Sequence, residues 1–407
     1  MRWYWDIFGL KPPRNKALLL VCLILPVMVQ GQVWQNRAPF PGGARDDGSA
    51  AFLHPFAYYG LGMDAGFQVR RDWYSFDPVN NQWNADQPFP GRARQYATTL
   101  VWKGKIWLLG GITGSGEPLN EVWTFDGMQW DSLTPFPPPG RAGALALASG
   151  NQLLIMGGLG PDSVLSSVIT FAHDVNQWQN QGYFPGGPRS LGAAFALDTT
   201  AWLGLGSDAV GQAKNDWWKV TLHPLSFTPA APAPFSPLQH PAQAQTPWAG
   251  YILGGLDGDG HYSKACWRFD PYSAAWSAQP NLWAEGRKGM GACWSQDKLY
   301  AMAGIDSANQ RKTDLWVLDA PLALEPKSSN KENTVQWLWN PYQFMETANL
   351  TGPAEQGQLK VFSAVGQLAY CISGSLPLSV PVSQLSCGVY LWQWTSGSHA
   401  YQGKFLR

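Results

Sequence analysis

Charge is scarce in this chain: Asp, Glu, Lys and Arg make up 14% of its 407 residues, and the formal net charge is zero. That balance excludes blanket attraction to nucleic acid or to an anionic lipid surface. Histidines and cysteines are also few, six and five respectively. His54, His173, His223, His240, His261 and His399 are scattered. No His-x-His, His-Glu-x-x-His or Cys-x-x-Cys pattern occurs, so neither a metal site nor a cofactor is expected. No serine elbow or phosphate loop is recognisable. Long apolar runs are missing too. Ala17 to Val29 is uncharged but is broken by Pro26, and it falls short of the roughly 20 residues a spanning helix needs.

That short run follows Lys11, Arg14 and Lys16 and leads into Val29-Gln30-Gly31. Residues 1–31 therefore read as a signal peptide cut before Gln32, with no stable membrane span left after cleavage. An uncleaved anchor is the alternative. Cys22 is a poor lipoprotein site because Val21 before it is bulky. Cys266, Cys293, Cys371 and Cys387 would remain in an oxidising compartment. Cys266–Cys293 and Cys371–Cys387 are the natural pairs by position, and buried free thiols are the equal alternative.

What is abundant is tryptophan, glycine and proline, with 23, 44 and 32 residues. Many aromatics and turn formers point to short strands and tight turns. Gly62, Gly111, Gly158, Gly206, Gly255 and Gly304 each end an apolar run and recur at intervals of 47–49 residues. Trp34, Trp83, Trp130, Trp178, Phe227 and Trp276 keep the same intervals. Tyr74, Trp123, Ile169, Trp218, Trp267 and Trp316 form a third ladder at 46–49 residues. Such a period marks a repeat fold whose units stack to bury their faces. The second repeat holds four strand patterns, near Tyr96–Trp102, Lys105–Leu109, Glu121–Phe125 and Met128–Asp131, as a propeller blade does. The sixth repeat lacks a closing Trp, so Gln32–Gln35 is expected to supply the outer strand of the last blade and close the ring.

Asp72-Trp73-Tyr74-Ser75-Phe76-Asp77, followed by Asn80-Asn81-Gln82-Trp83, resembles the third strand and closing Trp of the kelch repeat. The resemblance covers residues 32–320 and implies an all-β, six-bladed kelch propeller. Repeat four, with no double glycine and Phe227 for Trp, and the Pro-rich approach to repeat five at 229–241 are expected to be less regular. Residues 321–334 read as a linker, and 335–407 as short strands forming a small immunoglobulin-like β-sandwich. Asn340-Pro341, Leu359 to Gln367, Leu385, Gly388-Val389-Tyr390 and Lys404-Phe405-Leu406-Arg407 resemble the C-terminal sorting domain of type IX secretion in Bacteroidota. That resemblance implies the export machinery as a partner and a secreted or outer-surface location, reached through the periplasm. An ordinary immunoglobulin-like domain is the bland alternative.

Function is less legible. Arg45, Arg94, Arg141, Arg189 and Arg287 recur with the fold, and His240 lies near the position the series skips. Either they ring one mouth of the channel as donors to a ligand, or each pairs with backbone carbonyls or an acid of the neighbouring blade. Asp64, Glu117, Asp162, Asp208, Asp257, Asp259 and Asp306 follow the glycine ladder and read mostly as turn residues. Asp257 to Gly260 resembles a calcium loop but lacks its distal Glu. Trp102, Trp107, Trp202, Trp248, Trp283 and Trp294 are a sugar-stacking platform if exposed and inter-blade core if buried. The copper-ligand pattern of galactose oxidase, which shares the kelch architecture, has no counterpart. The expected function is binding of a glycan or a protein on the loop face, without catalysis. The rival is a carbohydrate-active enzyme resembling the sialic-acid mutarotases. A buried arginine facing an acid at the mouth favours the enzyme, and a plugged mouth favours the binder.

Overall fold

The structure is a computed structural model. It describes residues 33–197, 200–246, 249–271, 273–282, 284–295, 298–319, 336–338, 348–351, 356–363, 368–376, 378–382, 385, 389–396 and 399–406. The expected signal peptide and linker lie outside these residues. No helix among the described residues is long and apolar enough to cross a membrane.

Six antiparallel four-stranded sheets follow one another along residues 34–319. Their innermost strands are Ser49–Leu53, Thr98–Trp102, Leu145–Ser149, Ala193–Leu197, Ala242–Gln245 and Gly291–Ser295. Each touches the next, and the sixth touches the first, so the sheets are blades 1 to 6 of a closed propeller. The burial gradient across a blade explains the sequence pattern. Second strands such as Lys105–Leu109 and Gln152–Met156 are buried on both faces and read as continuous apolar runs. Fourth strands such as Gln82–Ala85 lie at the perimeter and are mostly exposed. Between blades, Phe40, Phe89 and Phe136 meet Trp83, Trp130 and Trp178 edge to face at 5.2, 5.0 and 5.8 Å. Such pairs contribute about 0.5–1.5 kcal/mol each beyond their buried area.

The ring closes as anticipated, two residues later than expected. Trp34–Arg37 is the outer strand of blade 6, with Trp34 opposite Leu318 and Arg37 opposite Leu315. Repeat four is regular, contrary to expectation. Leu205 takes the left-handed conformation (φ 58°) that Gly110 and Gly157 take in blades 2 and 3, as do Leu61 and Ala303. The turn needs the conformation, and the local hydrogen bonds hold it even where the residue has a Cβ.

Trp102, Trp107, Trp202 and Trp294 are all buried, so the inter-blade reading holds for them, whereas Trp248 and Trp283 lie outside the described residues. Cys266 and Cys293 are buried free thiols in separate hydrophobic clusters, so the expected pair is not formed. Burial pushes both thiols up, away from the reactive thiolate. Cys371 is free and exposed, while Cys387 lies outside the described residues. In the tail, a three-stranded sheet (336–338, 348–351, 378–380) and a four-stranded one (356–363, 368–375, 389–396, 399–406) are formed. Leu378 and Val380 of the first share a core with Leu359, Val361, Trp392 and Trp394 of the second, which makes a small β-sandwich. Its last strand, His399–Leu406, was not anticipated.

Candidate functional site at the channel mouth

The five arginines do not line the mouth. All are buried within their blades, at 0–2% exposure. Each guanidinium turns back to a carbonyl 16 residues later: Leu61, Gly110, Gly157, Leu205 and Ala303, at 2.8–3.1 Å. Four also grip an acid 27 residues on, in their own blade: Asp72, Glu121, Asp216 and Asp314. The acid therefore belongs to the same blade and not to the neighbour. In four cases a phenylalanine ring lies beside the guanidinium, as Phe40 does 4.7 Å from Arg45. At the skipped position, Leu238 and Ala265 replace the arginine and the acid together. Their backbone bonds, Leu238 N–H to Lys214 and Gly254 N–H to the Ala265 carbonyl, match those of the other blades.

His240 does reach the mouth, as one of six residues two places beyond the arginine register: Asp47, Tyr96, Gly143, Leu191, His240 and Gly289. All six are left-handed, with φ between 54° and 63°. Their backbones are linked from blade to blade, Asp47 N–H to Gly289, Tyr96 to Asp47, Gly143 to Tyr96, Leu191 to Gly143 and His240 to Leu191, at 2.7–3.1 Å. This chain of bonds draws the mouth tight and points unlike side chains at one another. Tyr96 of blade 2 and His240 of blade 5 come from opposite sides, and their rings are 5.3 Å apart. His240 Nε2 lies 2.9 Å from Asp47 Oδ1 of blade 1. The Tyr96 hydroxyl bonds the same carboxylate, so Asp47 engages both side chains. Gly289 leaves space for it, since a Cβ there would collide with Oδ1. Beneath the cluster is a cavity of about 130 Å³, and farther along the channel one of about 270 Å³, lined largely by small residues such as Ala50, Thr99, Ala146 and Ala244.

Asp46, beside Asp47, is buried and receives Nε of Arg311 from blade 6 at 2.6 Å. Burial and the Asp47 charge raise Asp46 to about 6, against the opposing pull of Arg311. Burial and the same two acids push the Tyr96 hydroxyl up, so it stays a proton donor. Arg311 is itself covered by the ring of Phe67, 4.9 Å from its guanidinium. Phe67 is 71% exposed and left-handed (φ 59°). Gly116, Gly211, Gly260 and Asn309 hold the same turn position in four other blades, each N–H bonded three residues back. A bulky aromatic there costs about 1–2 kcal/mol over glycine, and its exposed face recovers nothing from the core.

The loop acids divide. Asp64, Asp208, Asp257 and Asp306 cap their own turns, each accepting two backbone N–H bonds. Asp257, Asp259 and His261 bring ligand-type atoms within 4.8 Å of one another. Asp257 Oδ1 is already engaged by its own loop, as in the other three turns.

Sequence reasoning missed Asp46, Asp47, Tyr96, Arg311 and Phe67. For Asp47 and Tyr96 the available signal was positional, since they sit two places past the arginines at the same 47–49-residue interval, whereas Asp46, Arg311 and Phe67 lie off that register.

No family model matches the chain. It is 26% identical over 259 residues to mouse (Mus musculus) Kelch-like protein 35, across 62% of this chain and 42% of that protein. It is 30% identical over 123 residues to an N-acetylneuraminate epimerase of Yersinia enterocolitica, across 28% of this chain and 30% of the relative. The chain thus spans less than half the length of these curated relatives. Among solved structures, YjhT superposes with a TM-score of 0.57 at 18% identity, covering 69% of this chain and 96% of that one. With the blade topology above, these likenesses support a kelch-type β-propeller.

Proposed function

We propose that this kelch-type propeller is a secreted or cell-surface module that binds a glycan at its channel mouth. The observation that carries the reading is the convergence of Asp47, His240 and Tyr96, three unlike hydrogen-bonding side chains, at the channel mouth. A sugar presents hydroxyls that can donate to such a carboxylate and accept from such a phenol. Phe67 supplies the second element of sugar recognition, an exposed ring beside the polar cluster on which a pyranose face can stack. Tyr96 and His240 across the mouth favour binding over passage through the channel.

A second reading is acid–base chemistry on a bound sugar, in line with the likeness to an N-acetylneuraminate epimerase. The buried Arg311–Asp46 pair at the mouth favours it, because Asp46, raised to about 6, can exchange a proton near neutral pH.

Phe67→Gly separates ligand from scaffold. It should leave thermal stability unchanged or slightly higher, because glycine suits the turn, and should lower glycan-array binding at least tenfold. Equal binding by wild type and Phe67→Gly would sink the stacking role of Phe67. No glycan bound by the wild type would turn the search to protein partners. Anomeric exchange followed by NMR on any bound sugar, present in the wild type and lost in Asp46→Asn, would decide for the enzyme.

Export is part of the proposal. The sandwich built from residues 336–406 has its own core, as a sorting domain needs, and supports recognition of 335–407 by a type IX machinery after cleavage at residue 31. Deleting 335–407 should leave the protein in the periplasm. Undiminished surface delivery in a fractionation experiment would refute the sorting role.

A further inference from the structure

Blade 3 departs from its siblings in the partner it gives its arginine. Arg141 is as buried as the other arginines and makes the same bond to a glycine carbonyl, Gly157, at 3.0 Å. Where blades 1, 2, 4 and 6 place Asp72, Glu121, Asp216 and Asp314, blade 3 places Ser167. The equivalence is fixed by the backbone. Gly157 N–H bonds to the Ser167 carbonyl as Leu61, Gly110, Leu205 and Ala303 bond to those four acids. Arg141 Nη2 meets only a hydroxyl there, Ser167 Oγ, at 3.2 Å. The neighbouring support is gone as well. Trp123, Trp218 and Trp316 donate their indole N–H to the acids of blades 2, 4 and 6, and Ile169 stands in that position in blade 3. Burial alone lowers Arg141 to about 10, with no opposing acid among the causes.

Blade 5 shows how the same chain manages without the pair. It replaces arginine and acid together with Leu238 and Ala265. Stranding a buried charge is strongly destabilising, by about 3–5 kcal/mol, whereas an apolar pair of similar volume is close to neutral. A blade with no use for the charge has that solution available. Blade 3 keeps the guanidinium and substitutes for the acid a short side chain that can donate a hydrogen bond. The place itself is reachable from solvent, since the four acids that fill it elsewhere are 24–35% exposed.

We propose that Arg141 and Ser167 form a binding site for a small carboxylate-type anion at the start of the third strand of blade 3. The ligand would take the seat of the absent Asp side chain, bridging Nη2 of Arg141 and the Ser167 hydroxyl. This site is separate from the channel mouth and stands whether or not the mouth binds a glycan.

The test is thermal unfolding of the full protein in a sodium acetate series, with wild type and Ser167→Asp side by side so that general salt effects cancel. Ser167→Asp carries its own carboxylate and should start higher and respond only as any protein does to salt. The wild-type midpoint should rise relative to it by about 2–4 °C as acetate passes to ten times its dissociation constant. A second control, Arg141→Leu with Ser167→Ala, copies blade 5 and should fold without acetate dependence, whatever becomes of Ser167→Asp. Parallel acetate curves for the wild type and either folded control would overturn the proposal. An acetate shift that survives in the Leu/Ala variant would overturn it equally, because the anion would then be bound elsewhere.

Discussion

Asp216→Ala is expected to cost the propeller about 3 kcal/mol, and adding Arg189→Leu in the same blade should restore at least half of it. Asp216 holds Arg189 at 2.6 and 3.0 Å, and the guanidinium is 2% exposed. Removing the acid leaves a charge deep in the blade with carbonyl partners from Leu205 and Gly186 and no counter-ion. Removing both leaves the arrangement that blade 5 already uses. The measurement is a double-mutant cycle by denaturant unfolding, which isolates the coupling between the two side chains. If the arginines were instead ligand groups held in reserve, each single variant would keep its stability and lose binding. The cycle therefore decides between the two readings the sequence left open. It also bears on blade 3, because Asp216→Ala would create there what Ser167 leaves beside Arg141.

The difference between what could and could not be read from the sequence has a physical cause. Glycine and tryptophan ladders are visible because every blade must solve the same packing problem with the same residue type. Trp83 and Trp178 are each bonded to a carbonyl of the linking segment before them, Ala38 and Thr134. The arginines were visible for the same reason, and that visibility misled. A side chain that repeats with the fold serves the fold, and here it turns inward to a carbonyl 16 residues ahead. The mouth is the opposite case. Its six positions share a backbone conformation and a hydrogen-bond pattern but carry Asp, Tyr, Gly, Leu, His and Gly. Nothing in composition ties such residues together until the ring closes and sets them face to face. His240 was noticed only because it lies two residues past a gap in the arginine series. Phe67 was missed because an aromatic in a left-handed turn is noticeable only once φ is known. Function at this propeller is therefore expected where the repeats disagree, at the mouth and at Ser167, and scaffold where they agree.

The same reasoning makes the first described strand the most sensitive element of the ring. Deleting residues 32–37 should abolish cooperative unfolding of the propeller, and Trp34→Ala alone should cost about 3–5 kcal/mol. Trp34 is 4% exposed and packs with Leu299, Leu318 and Met290 of blade 6 and with Leu253 and Cys266 of blade 5. Its indole N–H reaches the Pro280 carbonyl at 2.8 Å, 246 residues away. Just beyond the strand, Ala38 N–H bonds to Asn81 and Phe40 N–H to the Thr313 carbonyl, so the segment also joins blades 1 and 6. Without it, Leu315–Asp319 becomes an unpaired edge, and blade 6 can peel away from blade 1. A blade that has lost one neighbour exposes the face it shared, which weakens the next in turn, so the loss should spread around the ring. Calorimetry would show it as a broad transition of reduced enthalpy in place of a single sharp one. A sharp transition retained at nearly the wild-type temperature would mean that blade 6 holds its place through its innermost strand alone. The closure by Trp34–Arg37 would then be a consequence of the ring's stability and not its source.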